Sequence, residues 1–265
     1  MIDRIYADFA WEQASQLLSI DSPSGFTAKA ARWVCDAFAN LGFAAHITTK
    51  GGVIVDLGGE NSEDGLMLAA HADTLGAMIS QIKGNGRLKM TSLGGMRPEN
   101  AETENVRVYT RDGHVYEGTC QLCNPSIHVN GSYGDTKRSW DTVEIVLDEE
   151  VNSAADAKKL GIEVGDMVCF DPRTRRTASG YLKSRFLDDK LSVGILLGFA
   201  KYLKDNNITP ARRVYAHVTV YEEEEMEVLK DIYTLDHKCI LEKRKLQVEQ
   251  VFMQNHSKCK LVEQL

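Results

Sequence analysis

The stretch Val214–Tyr221 reads VYAHVTVY, and two acidic residues, Glu222 and Glu223, follow it directly. A run of this length, rich in β-branched and aromatic residues, predicts a buried strand of an α/β protein, which we place at residues 213–221. Adjacent side chains of extended chain point to opposite sides. One carboxylate could therefore bind a metal ion while the other reaches the attacking water as a general base. A solvated acidic run is the alternative, because more glutamates follow.

Two further acidic motifs lie upstream, at the ends of apolar segments. One is His71-x-Asp73 in LMLAAHADTLGAM, and the other is Asp188-Asp189 in SRFLDDKLSVG. In extended chain, His71 can face a metal ion while Asp73 beside it accepts the other ring N–H. An imidazole with carboxylates from separate elements suits Zn²⁺ or Co²⁺. Each motif also has a structural interpretation, as a surface histidine with a hydrogen-bonded carboxylate and as acidic residues at a helix N-terminus.

Composition restricts the class of protein. The chain has 265 residues, 43% of them hydrophobic, and a net charge of −7, which is ordinary for a globular protein with a substantial core. The acidic balance argues against nucleic acid as a main partner, because little positive charge is available to neutralise phosphates. We expect no membrane span and no signal peptide, since no apolar segment is long enough. The six cysteines lack a framework spacing, which favours a cytoplasmic protein with reduced thiols.

Two other candidate sites are weaker. Cys120-x-x-Cys123 has no second CxxC and no histidine pair at zinc-finger spacing, so a metal or redox role is disfavoured. His128 in NPSIHVNG could lie near a substrate, but a surface histidine is the simpler interpretation. The sequence contains neither the GxSxG motif of a serine nucleophile nor the P-loop of a nucleotide phosphate site.

Helix and strand patterns alternate in the first 74 residues. Residues 3–19 have a helical period, and a second helix is predicted to begin after Thr27, as its N-cap, and to end before Gly42. Three short β-type runs follow, at residues 43–48, 53–57 and 66–70. Mixed helices and strands of this kind indicate an α/β sandwich.

A change of pattern indicates an inserted second domain. Residues 75–172 consist of short strands and tight turns, among them Asn85-Gly86 and Asp112-Gly113, which are strong hairpin signals. A helical pattern returns at residues 188–203 and leads to the strand before Glu222. We therefore predict a discontinuous catalytic α/β domain and an inserted β-rich domain. The catalytic domain comprises residues 1–74 and 173–223, and the inserted domain comprises residues 75–172.

In this order and spacing, the motifs resemble those of the M42 family of metallo-aminopeptidases, which includes glutamyl and deblocking aminopeptidases. The matching stretches lie between residues 22 and 223 and read SPSGF, LMLAAHADTLGAM, GIEVGDMVCFDPR, SRFLDDKLSVGILL and VTVYEE. The resemblance implies a zinc-peptidase-like α/β/α sandwich, incomplete at its C-terminus, that a small β-domain interrupts. It also implies a peptide substrate and a homo-oligomer, commonly a dodecamer.

The resemblance assigns roles to five residues. His71 would bind one divalent ion with Asp73 orienting it, and Asp188 would bridge two ions. Glu223 would bind the second ion, and Glu222 would be the general base. The two ions would be Zn²⁺ or Co²⁺, with Mn²⁺ also compatible. The implied reaction is hydrolytic release of the N-terminal residue of a short peptide.

The resemblance ends at Glu223. The family continues with Val-Gly, a glycine-rich turn, a further aspartate and a late histidine, whereas residues 224–265 are charged, weakly helical in pattern and free of glycine, with Lys245 where an aspartate is expected. Each ion would keep two protein ligands, and we interpret the tail as a truncation or frameshift. We expect little or no activity from this chain. The alternatives are a non-catalytic assembly protein on the same scaffold and a hydrolase of the M20 or M28 type.

Overall fold

The computed structural model describes residues 4–223, and the atypical tail predicted from residue 224 lies outside them. The first part of the chain contains two helices and three strands. These are α1 (Arg4–Leu18), α2 (Ala28–Asn40), β1 (Ala44–Ile47), β2 (Val53–Gly58) and β3 (Asn61–His71). Thr27 is the N-cap of α2 as predicted, but its side chain makes no capping hydrogen bond.

The middle part is rich in short strands. It contains β4 (Gly76–Ile82), β5 (Leu88–Leu93), α3 (Pro98–Ala101), β6 (Asn105–Tyr109), β7 (Val115–Leu122), β8 (Val143–Leu147), α4 (Ala154–Lys159) and β9 (Met167–Phe170). The last part contains the short pair β10 (Arg175–Arg176) and β11 (Leu182–Lys183), the long helix α5 (Leu187–Asp205) and β12 (Arg212–Thr219). Among residues 4–223, no helix combines the length and the apolar character that a bilayer span requires.

The α/β part is built on a four-stranded sheet of order β1-β2-β12-β3. Strand β12 pairs antiparallel with β2 and parallel with β3, so it joins the two halves of the chain. Alternate side chains of β2, β3 and β12 share one core with α1, α2 and α5. These three helices therefore pack on one face of the sheet.

Strands β4 to β9 form a closed barrel of order β4-β5-β8-β7-β6-β9 with a core of its own. The turn chemistry explains its hairpins. Gly113 has φ +92 between β6 and β7, a conformation that favours glycine. The sequence predicted a β-rich unit here, and the structure adds that the sheet closes on itself. The domain limits themselves, 74/75 and 172/173, stay a prediction.

Two local expectations are corrected next to the motifs. Strand β12 ends at Thr219, and Glu222 and Glu223 form a turn rather than continuing the strand. The alternation of extended chain therefore does not set the directions of their side chains. The helix predicted at residues 188–203 is present as α5, but Asp188 and Asp189 have non-helical backbone angles within its bounds, and the bond between them is cis.

Candidate functional site

His71 is the last residue of β3, and its ring lies between two sets of oxygens. On one side, Nδ1 is 3.0 Å from the backbone oxygen of Asp73 and 3.4 Å from its Oδ1. On the other side, Nε2 is 3.2 Å from Oδ1 of Asp188 and 3.5 Å from Oε2 of Glu222. The ring is thus held at Nδ1, which leaves Nε2 directed at the two carboxylates.

Asp73 is fully buried, and its carboxylate accepts three hydrogen bonds from two other parts of the chain. Its Oδ2 accepts the hydroxyl of Ser24 at 2.7 Å and the backbone N–H of Glu223 at 3.1 Å. Its Oδ1 accepts the backbone N–H of Glu222 at 3.2 Å. A buried carboxylate with this many partners is held in one orientation, and it positions both the histidine and the acidic turn.

The site opens to solvent on the side away from Asp73. The Asp188 side chain is 92% exposed and that of Glu222 is 37% exposed, whereas His71 is 7% exposed. An ion or substrate can therefore approach the Nε2 side of the ring without displacing the core. The five residues named from the sequence thus lie together, with Asp73 below the ring and Asp188 and Glu222 at its open side.

The electrostatics show an excess of negative charge. Burial by itself would lower the pKa of His71, but the hydrogen bonds with Asp188 and Asp73 raise this pKa to about 11. The hydrogen bond with His71 in turn lowers the pKa of Asp188. Burial raises the pKa of Glu223 to about 7 and that of Asp189 to about 6. Several carboxylates share one imidazole, which is an environment that favours a bound cation.

The donor set has the chemistry of a divalent metal site. Within residues 4–223, no group of three or more histidine, cysteine or acidic side chains is arranged so that it could hold a metal ion. An imidazole nitrogen and two carboxylates nevertheless converge within 3.5 Å, and the second ring nitrogen is held by Asp73. Imidazole and carboxylate donors with such support are what Zn²⁺ and Co²⁺ accept. The resemblance assigns the ions to His71, Asp188 and Glu223, whereas the glutamate carboxylate beside Nε2 is that of Glu222, and Glu223 donates its backbone N–H to Asp73.

A model of the family described as "M42 glutamyl aminopeptidase" matches residues 51–228, which contain His71, Asp188 and the acidic turn. The chain belongs to this family. It is 40% identical over 197 residues to the Bacillus subtilis (strain 168) protein named "Putative aminopeptidase YhfE". That alignment covers 74% of this chain and 57% of the relative. The chain therefore spans less than two thirds of the length of this relative.

Solved M42-like structures have the same fold. The aminopeptidase APDkam598 of Desulfurococcus kamchatkensis superposes with a TM-score of 0.71 at 27% identity, and the match covers 82% of this chain and 57% of that one. The TET1 peptidase of Pyrococcus horikoshii superposes with a TM-score of 0.71 at 23% identity, over 85% of this chain and 65% of that one. The mixed α/β fold with an inserted barrel is thus confirmed as that of the M42 family.

One residue at the candidate site and one buried lysine near it in sequence carried no role in the sequence analysis. Ser24 was quoted only as part of SPSGF, although its hydroxyl contacts Asp73. Lys190 is 1% exposed, and its Nζ donates to the backbone oxygens of Leu17 at 3.1 Å and Ile20 at 2.6 Å. A lysine directly after two aspartates reads as solvated, and only the packing of α1 against α5 reveals its burial.

The candidates disfavoured from the sequence lie apart from the M42 site. Cys120 is buried in the barrel core, and burial raises its thiol pKa to about 12. Cys123 lies 3.9 Å from Nζ of Lys83 on the barrel. His128 lies in the exposed segment between β7 and β8. The geometry gives these residues no contact with His71 or Asp188.

Proposed function

We propose that this chain carries the centre of a metal-dependent aminopeptidase that releases N-terminal residues from short peptides. The observation that carries the proposal is the meeting of His71 Nε2 with the carboxylates of Asp188 and Glu222, above a buried Asp73. Family membership supports the reaction class. The open side of the ring provides the access that a peptide requires.

The candidate residues would have different roles in the reaction. Asp73 would hold the His71 ring through Nδ1, and His71, Asp188 and Glu223 would bind two divalent ions, zinc or cobalt, or manganese. When bound, such ions polarise a scissile carbonyl and lower the pKa of water. Glu222, with its exposed carboxylate, would accept the proton of the attacking water and pass it to the leaving amine. An N-terminal amine would be attracted by the excess of carboxylates.

We also propose that the aminopeptidase activity of this chain by itself is low. His71, Asp188 and Glu223 would give each ion two protein ligands, counting Asp188 for both ions, and catalytic zinc sites generally have three. A non-catalytic assembly protein on the same scaffold is the alternative, whereas the match to the M42 family rules out a hydrolase of the M20 or M28 type. Assembly into a homo-oligomer, commonly a dodecamer in the family, belongs to the same proposal. The solved structure of PhTET1-12s, which is described as a dodecamer, supports it.

A chimera tests the function. Residues 1–223 would be joined to the corresponding C-terminal part of the Bacillus subtilis relative, and both the chimera and the chain would be incubated with Co²⁺ and unblocked short peptides. Mass spectrometry should show stepwise loss of N-terminal residues with the chimera and little loss with the chain. Glu222→Gln should stop the reaction in the chimera. A folded, metal-loaded chimera that removes no residue would contradict the proposed function, and full activity of the chain alone would contradict its impairment.

A further inference from the structure

The loop of residues 22–25 lies directly against the segment that carries Asp73. Pro23 forms a parallel bridge with Thr74, the N–H of Thr74 donates to the oxygen of Ser22 at 2.9 Å, and the N–H of Ser24 donates to the oxygen of Thr74 at 3.3 Å. These bonds fix the loop at a constant distance from the end of β3. Two serine hydroxyls are thereby buried next to the site.

The two hydroxyls have different partners. Ser22 donates to the backbone oxygen of Ala72 at 2.7 Å, and Ser24 donates to Oδ2 of Asp73 at 2.7 Å. Their exposed fractions are 1% and 4%, so both are equally shielded from water. Only Ser24 contacts a side chain of the site.

The bond from Ser24 is the shortest of the contacts that the Asp73 carboxylate makes. The terminal torsion of an aspartate has a broad energy profile, so the carboxylate needs outside partners to define its plane. The other partners are His71 and the backbone N–H groups of Glu222 and Glu223, which are the groups that Asp73 itself positions. Ser24 comes from a separate loop and is therefore an independent anchor.

We propose that Ser24 is a positioning residue of the metal centre. Its hydroxyl holds the Asp73 carboxylate in the plane in which one edge faces His71 Nδ1 and both oxygens receive the acidic turn. Through Asp73 it thus fixes at once the ring that presents Nε2 and the two glutamates. The part of this inference that concerns metal rests on the proposed function, whereas the part that concerns the turn does not.

Three variants test the role of Ser24. Ser24→Ala removes the bond to Asp73, Ser24→Thr keeps a hydroxyl, and Ser22→Ala is the matched control that loses an equally buried bond in the same loop without touching the carboxylate. Ser24→Cys, which fills the space of the hydroxyl with a slightly larger and weakly donating thiol, replaces Ser24→Ala if that variant does not fold. Circular dichroism would establish that each variant is folded.

The first readout is hydrogen exchange of the Glu222 and Glu223 amides, measured by NMR without metal. A hydrogen bond to a charged group is worth roughly one to two factors of ten in an equilibrium constant. In Ser24→Ala these two amides should therefore exchange about 10- to 100-fold faster than in the unmodified chain. In Ser24→Thr and Ser22→Ala their exchange rates should stay within about threefold of those of the unmodified chain.

The second readout is zinc affinity by titration calorimetry. Loss of a group that orients a ligand costs about 10- to 100-fold in metal affinity, and we expect this loss for Ser24→Ala and not for Ser22→Ala. Equal effects of Ser24→Ala and Ser22→Ala on exchange would overturn the inference, because the loop would then act only as structure. If the unmodified chain binds no zinc, the proposed function fails, and the exchange data still decide the role of Ser24.

Discussion

Nε2 of His71 lies 3.2 Å from Oδ1 of Asp188 although the two residues are 117 positions apart. The barrel of strands β4 to β9 lies between them in sequence, and the chain then passes through the short pair β10 and β11 into the segment that carries Asp188. Strand β12 then pairs with β3 in parallel, which brings Glu222 and Glu223 to the same end of the sheet. The site thus depends on the return of the chain after the insertion.

Asp73 can be tested by Asp73→Asn. The amide keeps the shape of the side chain but removes its charge. Its NH₂ group would replace an acceptor oxygen and would therefore face an N–H or O–H donor. We expect the free energy of unfolding to fall by about 1–3 kcal/mol, because buried donors lose a charged acceptor. We expect zinc affinity to fall by about 10- to 100-fold, which is the usual effect of removing a group that orients a ligand. Urea denaturation and calorimetry measure the two. Asp141→Asn, with a side chain 89% exposed, is the control and should change neither.

The barrel contains a charge cluster that predicts a pH dependence. Burial would raise the pKa of Glu144, but hydrogen bonds from Lys83 and Arg87 lower it below the ordinary value. A lowered folded-state pKa gives stability that is complete above the unfolded pKa, about 4.3, and is lost as the pH falls through the folded value. The Glu144 side chain is 1% exposed, so the contribution is not fully screened by water.

Glu144→Gln should therefore destabilise the protein at pH 7 by about 1–3 kcal/mol, the range for a buried bond to a charged group. The two cations keep partial access to water, which limits the loss. At pH 3 the difference from the unmodified chain should be smaller. Thermal denaturation at both pH values measures this, with the exposed Glu150→Gln as control. An equal difference at both pH values would show that the charge of Glu144 does not matter.

Asp21 joins the α/β part to the barrel. Its carboxylate accepts Nε and Nη2 of Arg107 at 2.6 and 2.7 Å and the hydroxyl of Tyr109 at 2.7 Å. Asp21→Asn should cost about 2–3 kcal/mol, because it leaves a partly buried guanidinium without its charge partner. Tyr109→Phe removes one bond and should cost about 1 kcal/mol. A urea series that finds the two variants equal would contradict this order.

The thiols should differ in reactivity. Cys120 and Cys169 are buried, and burial raises the pKa of each, whereas Cys35 and Cys123 are partly accessible. The thiolate is the reactive form. Iodoacetamide at pH 8 should therefore label Cys35 and Cys123 roughly tenfold or more faster than the buried pair, because the reagent reaches only the accessible thiols without opening of the core. Peptide mass spectrometry gives the order, and rapid labelling of Cys120 in the folded chain would contradict the barrel core.

Local chemistry explains which parts of the fold the sequence predicted. Asn85-Gly86 and Asp112-Gly113 form their turns through their own backbone preferences, so the hairpins could be located without tertiary information. The closure of the barrel could not, because it requires β4 to pair with β9, and those two strands are distant in sequence. The end of β12 at Thr219 was also missed, since the turn is fixed by the tertiary bonds of Asp73.

In the site, too, some features could be predicted from the sequence and others depend on tertiary contacts. His71, Asp73, Asp188 and the acidic turn could be named because order and spacing match a known family, and the structure brings them together. The bonds of Ser24 and Lys190 depend on residues about 50 and 170 positions away, and no local pattern records such contacts. What decides them is the packing of the loop after α1 against the sheet and α5.

Zinc titration of His71→Ala beside His46→Ala tests the central claim most directly. His46 lies exposed on β1, so its loss controls for nonspecific binding by a histidine. The account predicts weak zinc binding by the unmodified chain that His46→Ala leaves unchanged and His71→Ala abolishes. Equal binding by the two variants would contradict the assignment of the centre to His71, Asp188 and the acidic turn.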